Sequence, residues 1–270
     1  MKAFMLHFAL EFRAALRNRN LLLMNYLLPL GFYLLIGGMM VQINPFFGDQ
    51  MIPAMVILTV LSGVIMGLPT NLVEAREAGI LRSFRVNGLQ SGTLIAIPAL
   101  ANALHVCLTA LVITVSAPLI FKVPAPVDWP MYLLVFLLTL FANSGLATLI
   151  GVITRSGQMA ILWQQLLFIP SMILSGLMVP LTLMPDWGQK LSLMLPATYA
   201  MAAFQGSAYE GETLWYAPYG MLLLFVGGVL GFVLASRLFS WDNQNDVQRH
   251  RVVLALVAMI PYLLGALLLV

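Results

Sequence analysis

Charge is what this sequence has least of. Asp, Glu, Lys and Arg make up 9% of its 270 residues, against roughly 25% in an ordinary soluble domain. With 61% hydrophobic residues, a water-soluble fold would have to expose broad apolar patches, which soluble proteins rarely do. A bilayer removes that conflict, so the composition predicts an all-α integral membrane protein. Cysteine is nearly missing: Cys107 stands alone inside an apolar run, which excludes an internal disulfide framework. Lysine is scarce as well. Lys2, Lys122 and Lys190 follow Met1, Phe121 and Gln189, so the Gly-Lys-Ser/Thr loop that embraces nucleotide phosphates is excluded. His7, His105 and His250 do not form an HExxH pair, and there is no Asp-rich motif to hold magnesium beside a phosphorylated lipid. That argues against an integral enzyme of lipid metabolism, which together with a non-catalytic membrane scaffold is the main rival reading.

What is abundant is uninterrupted apolar sequence. Seven segments stand out: Leu21–Val41, Met51–Val73, Thr93–Phe121, Met131–Ile153, Ala160–Leu181, Leu214–Ser236 and Val252–Val270. A span needs about 20 apolar residues. None of the seven contains Asp, Glu, Lys or Arg, and a charge at a span centre costs about 2.5–3.5 kcal/mol on insertion scales. The lack of intramembrane carboxylates also disfavours a proton-driven carrier. The third segment is long enough to tilt or to break at Pro98 or Pro118. The seventh, with Pro261 in its middle, is expected to form an extra C-terminal span. Leu21–Val41 is too long for a signal core and lacks a small-residue cleavage site, so no cleaved leader is expected. There is no internal repeat and no low-complexity linker.

Orientation follows from the basic residues. With the N-terminus in the cytoplasm, Lys2, Arg13, Arg17, Arg19, Arg76, Arg82, Arg85, Arg155, Arg237, Arg249 and Arg251 lie inside. Only Lys122 and Lys190 lie outside. The acidic residues divide evenly, so the bias belongs to Lys and Arg, as the positive-inside rule requires.

Two regions fit neither span nor loop. In the first 20 residues Phe4, Phe8, Phe12 and Leu16 recur every four positions, while His7, Glu11, Arg13, Arg17 and Asn18 lie off that stripe. The pattern predicts an amphipathic interface helix on the cytoplasmic membrane surface, with Arg13, Arg17 and Arg19 towards anionic headgroups of membrane lipid. The stretch from Thr182 to Thr213 is too apolar for a free loop and too broken by Pro185 and Pro196 for a span. It predicts a pair of short re-entrant or interfacial helices, with Trp187, Tyr199 and Tyr209 as candidate interface anchors.

Polarity inside the spans is thin: Asn71, Asn102, His105, Asn143, Gln164, Gln165 and hydroxyls such as Ser62 and Ser175. Asn102, His105 and Asn143 are candidates for a substrate path, and bonding to a neighbouring helix is the alternative for each. Gly63–Gly67 and Gly227–Gly231 have the GxxxG spacing of closely packed helices.

The segment from Glu74 to Gly92, EAREAGILRSFRVNGLQSG, joins the second and third spans. Glu74, Glu77, Leu81 and Phe84 fit one short helix with Arg82 and Arg85 at its end, an order that suits the helix dipole. The segment resembles the loop of type 2 ATP-binding-cassette exporter permeases, E-x-x-E-x-G-x-L-x-x-L-R-x-x-P-L-S. Glu74, Glu77, Gly79, Leu81 and Arg85 match, Phe84 replaces the usual Leu, and the run Asn87-Gly88-Leu89-Gln90-Ser91 does not retain the usual proline. A second stretch, from Ser175 to Gly206, is similar to that family's Gly-apolar-Pro and Leu-Pro-x-Thr-Tyr segments. The matching residues there are Ser175, Gly176, Pro180, Met184, Pro185, Trp187, Leu195, Pro196, Thr198 and Tyr199.

The resemblance covers about residues 1–242 and implies a permease domain of six spans, with an N-terminal interface helix and two re-entrant helices before the sixth span. It implies two permease subunits, as a homo- or heterodimer, docked on two copies of an ATPase subunit in the inner (cytoplasmic) membrane. The Glu74–Arg85 loop would be the ATPase-coupling helix. ATP and magnesium would bind the partner, with no cofactor, metal or catalytic residue in this chain and no nucleic-acid partner. Residues 243–270 are an addition to that pattern.

Overall fold

In the computed structural model the structure describes residues 2–43, 45–86, 91–209, 217–241 and 253–268, and among these there is helix but no strand. Among the described residues six helices are long and apolar enough to cross a membrane: Arg19–Met40, Phe47–Glu77, Ser91–Phe121, Trp129–Ile153, Gly157–Leu174 and Pro218–Leu238. They coincide with the first six apolar segments, because backbone polar groups in hydrocarbon must be paired within the segment itself.

The second span is the pillar of the bundle. Its most apolar stretch is 94% buried, against 28% for the first span and 22% for the fifth. At 31 residues it is about 46 Å long, so it overshoots a hydrocarbon core of about 30 Å. The third span is also 31 residues and runs unbroken through Pro98 and Pro118, so neither proline breaks it. The fifth span stops at Leu174, short of the expected Leu181, where the chain turns through Gly176 at φ +81° and runs to Pro180.

The fourth and sixth spans make the closest approach. A Cβ on Gly145 would lie 2.7 Å from the Gly228 carbonyl oxygen, and one on Gly231 would lie 2.6 Å from the Gly145 carbonyl carbon. Lipid tails are as apolar as leucine, so this contact is held by backbone proximity between small residues. Gly231 of the GxxxG pair is used here. Gly227 instead faces Tyr262 of the C-terminal helix.

Of the span expected at Val252–Val270, the described residues form the helix Val253–Leu268, whose 16 residues cover about 24 Å. After α-helical Val253–Ala255 it tightens into a 3-10 turn, Leu256–Met259, and the Ile260 N–H bonds to the Val257 carbonyl that Pro261 has no N–H to reach. Tyr262 lies against Gly227 while Gly265 lies against Leu223, so the helix returns antiparallel along the sixth span. Residues 242–252 and 269–270 of the C-terminal addition lie outside the described residues.

Candidate functional site

The first three spans meet at a buried polar junction that begins with Pro29. Proline has no N–H, so the carbonyl of Asn25, four residues earlier, loses its helical partner. The first span accommodates this with a π turn, Leu23–Leu27, and Thr109 of the third span donates its hydroxyl to the Asn25 carbonyl at 2.7 Å. The second span has a π turn of its own, Leu61–Met66. There the Gly67 N–H goes to the Val64 carbonyl, and Asn102 donates its amide to the Gly63 carbonyl at 2.8 Å. Asn25 donates its side-chain amide to Asn102 Oδ1 at 2.9 Å, which closes the chain across three spans. Such π turns are frequent at functional sites.

His105 extends the junction towards the N-terminal helix. Asn102, His105 and Thr109 share one face of the third span through their 3- and 4-residue spacing. Tyr26 Oη is 2.6 Å from His105 Nδ1, and His105 Nε2 is 3.2 Å from the Phe12 carbonyl. A carbonyl can only accept, so Nε2 carries the proton and Nδ1 accepts from the tyrosine, an assignment made from the bonding pattern. The imidazole also stacks on Phe12, with centroids 4.1 Å apart. His105 is thus enclosed, with both nitrogens used. Asn143 is not part of this junction. It lies buried on the fourth span and donates to the Thr139 carbonyl of its own helix, leaving Oδ1 without a partner.

The expected Glu74–Arg85 helix is two helices. The second span continues through Glu74 and Glu77, the chain turns at Ala78 and Gly79, and a separate helix runs Ile80–Val86. Gly79 has φ +73°, which a residue with a Cβ rarely adopts, so glycine is what permits the turn. The acids therefore end one helix and the arginines end another, and they do not share one dipole. Leu81 is buried, and Phe84 packs on His7 with ring centroids 5.0 Å apart. Arg85 lies over the Trp241 ring at 5.9 Å, within cation–π range. Ile80, Arg82, Arg85 and Val86 face outward. Residues 87–90 of the resembled pattern lie outside the described residues.

Arg76 escaped the sequence reading, which counted it only as a topology signal. It is 5% exposed and donates to the carbonyls of Gly151 at 2.8 Å and Thr154 at 3.0 Å. Those are orphan carbonyls at the C-terminus of the fourth span, where a cation also opposes the helix dipole. The second span is thereby clamped to the fourth just before Gly79.

The N-terminal helix, Lys2–Arg17, does form, but its packed face is not the phenylalanine stripe alone. His7 and Ala15 are buried, Phe8 and Phe12 half-buried, and Leu16, Arg13 and Arg17 exposed. The Phe4 side chain lies outside the described residues. Asn18 ends this helix and starts the next: its Oδ1 accepts from Asn20 N and Leu21 N, and its amide donates to Asn71 Oδ1 at 3.3 Å. The helix thus packs on the protein through His7, Phe12 and Ala15 and leaves Arg13 and Arg17 outside, with Asn18 finding its partner on the second span.

Two short helices, Asp186–Ser192 and Pro196–Ala208, do lie between the fifth and sixth spans. The second is a core element. Tyr199 is fully buried and donates to the Leu193 carbonyl at 2.6 Å, so it is no interface anchor. Tyr209 is half-buried beside Tyr132, whereas Trp187 is 64% exposed, as an anchor would be. Ser175 is buried and leads into Gly176, and Pro180, Pro185 and Pro196 each precede or open a helical turn. The sequence reading also missed Asn25, Tyr26 and Thr109. The position of Pro29 four residues after Asn25 was the available signal.

Six helices long and apolar enough to span, with a polar junction buried among the first three, mark a multi-pass membrane protein. The chain belongs to the ABC-2 type transporter family, whose model matches residues 2–209. It is 30% identical over 123 residues to the inner membrane transport permease YhhJ of Escherichia coli K12, and equally to that of Shigella flexneri. Each match covers 44% of this chain and 32% of the relative, so the chain aligns with about a third of the length of these permeases. No solved structure matches the chain.

Proposed function

We propose that this chain is the membrane subunit of an ATP-driven exporter that moves an amphipathic, drug-like, lipid or peptide substrate out of the cytoplasm. A separate ATPase subunit, in two copies, would hold ATP and magnesium, and a second permease subunit would complete the transporter. The N-terminal helix and the Ile80–Val86 helix lie on the cytoplasmic side of the inner membrane in this reading, as the distribution of Lys and Arg supports.

The observation that carries the reading is the Ile80–Val86 helix. It hangs from the most buried span through one glycine turn, is held by Leu81 and Phe84, and presents Ile80, Arg82, Arg85 and Val86 outward. A partner that seizes this helix moves the pillar of the bundle, and with it the junction around Asn102. Two conformations of unequal substrate affinity are what energy transduction requires.

Arg82→Glu with Arg85→Glu tests the coupling. The permease inserts normally, loses its copurifying ATPase and stops transporting, because like-charge juxtaposition at an interface costs several kcal/mol. Unchanged ATPase binding and transport, with topology verified by a reporter, refutes the assignment of this helix.

A further inference from the structure

The N-terminal helix, the loop helix and the adjoining ends of the first three spans enclose a cleft of about 360 Å³, within the range of small-molecule sites. Its walls combine Leu21, Leu68, Leu72 and Leu94 with the polar groups of Asn18, Asn71 and Asn102. Glu11 and Glu74 line it, and among the described residues no Lys or Arg does, although this end of the molecule carries most of the basic residues. His7 is the unexplained group. It lines the cleft, is 8% exposed, and neither ring nitrogen has a hydrogen-bond partner among the described residues. Glu11 Oε1 is 3.4 Å from Nε2, close enough for an ion pair but without hydrogen-bond geometry. A buried polar group left unpaired is expensive, so native structures rarely keep one without a reason.

We propose that this cleft binds an amphipathic ammonium compound, one whose charged head carries N–H donors. His7, Glu11 and Glu74 all line the cleft, so its wall supplies three groups able to accept from the N–H donors of such a head. The leucines take the apolar part, and the half-buried Glu11 and exposed Glu74 place negative charge along the cleft on a generally basic face, which draws cations. The cleft is bordered by Phe84 and Leu81 of the loop helix and by Asn102 of the buried junction. Occupation therefore touches both the proposed coupling element and the centre of the bundle. This deepens the exporter reading and rests on it for the claim that the ligand is cargo.

The test uses the full chain in phosphatidylcholine nanodiscs, with empty nanodiscs subtracted. The probe is dansylcadaverine, whose fluorescence rises on burial. Its N-acetylated form and a dansyl analogue ending in carboxylate serve as matched controls. The expected result is saturable binding of the ammonium form alone. Glu11→Gln and Glu74→Gln each weaken it about fivefold, the order expected for one partly exposed charge pair. His7→Phe keeps an aromatic ring against Phe84 and also weakens it. Ala14→Trp, at an exposed lining position, fills the cleft and abolishes binding. Equal binding of the three dansyl compounds overturns the proposal, as does unchanged affinity in both Gln variants. Loss of binding on adding the ATPase subunit overturns it too, because the cleft would then be a partner's seat. ATPase recovery is scored in the same preparation. A permease that recruits its ATPase and ignores the probe sinks only this inference, whereas one that binds the probe and recruits no ATPase sinks only the exporter reading.

Discussion

Replacing Arg76 by methionine removes a clamp and leaves the bulk of the side chain in place. The guanidinium donates to the Gly151 and Thr154 carbonyls, 2.8 and 3.0 Å away, from a 5% exposed position. Hydrogen bonds from a charged donor are each worth about 1.5–3 kcal/mol. The variant loses two of them and strands two carbonyls, but it also removes the cost of burying a cation. The balance is a destabilisation of about 2–4 kcal/mol, large against the scale of most point substitutions. Arg76→Lys keeps the charge but not the fork, so it recovers about half. Arg13→Met, at an exposed site, is the control and stays within about 0.5 kcal/mol of the parent. Reversible unfolding by SDS in mixed micelles, followed by circular dichroism, reads all three. An Arg76→Met protein as stable as the Arg13→Met control would falsify the claim that this arginine ties the second span to the fourth.

Other consequences are equally direct. Asn102→Leu strands the Asn25 amide and the Gly63 carbonyl, so it destabilises by about 1–3 kcal/mol, given about 0.6 and at most about 1.7 kcal/mol per interhelical bond in membranes. A smaller loss than that of His105→Phe in the same SDS titration counts against the junction. Gly231→Leu forces a side chain into the Gly145 backbone and costs about 1–3 kcal/mol or more, visible as aggregation on size-exclusion chromatography; monodisperse protein of normal stability contradicts the packing. A reporter fused after Val270 is expected to read as extracytoplasmic, because Arg249 and Arg251 precede the last apolar run; cytoplasmic activity would restore a six-span topology.

The six spans were legible because hydrocarbon penalises every charge, which makes absence itself a signal. Which face of each span meets protein was not legible. Leucine suits lipid and protein equally, so Phe8 and Phe12 on their stripe looked like a membrane face although Phe12 stacks on His105. Tyr199 looked like an interface anchor for the same reason, since composition cannot separate a headgroup from a buried carbonyl. The loop read as one helix because acids before bases suit a dipole, whereas Gly79 at φ +73° ends one helix and lets a second begin. Of the three residues proposed for a substrate path, Asn102 and His105 come together and Asn143 lies on another span. Only tertiary contacts could tell them apart.

The two π turns also fix the kind of movement this bundle can make. A π turn holds one residue more than an α turn, so the side chains above it are out of phase with those below by about 100°. Such a surplus residue can in principle travel along a helix, rotating each turn that it passes. In the first span it cannot travel past Pro29, which offers no N–H to receive it, and Thr109 holds the released carbonyl from the side. In the second span Pro69 stands in the same way beyond Gly67, with Asn102 on the carbonyl of Gly63. The phase step is therefore locked in both helices at once. These two spans have to swing as whole levers and cannot screw past one another.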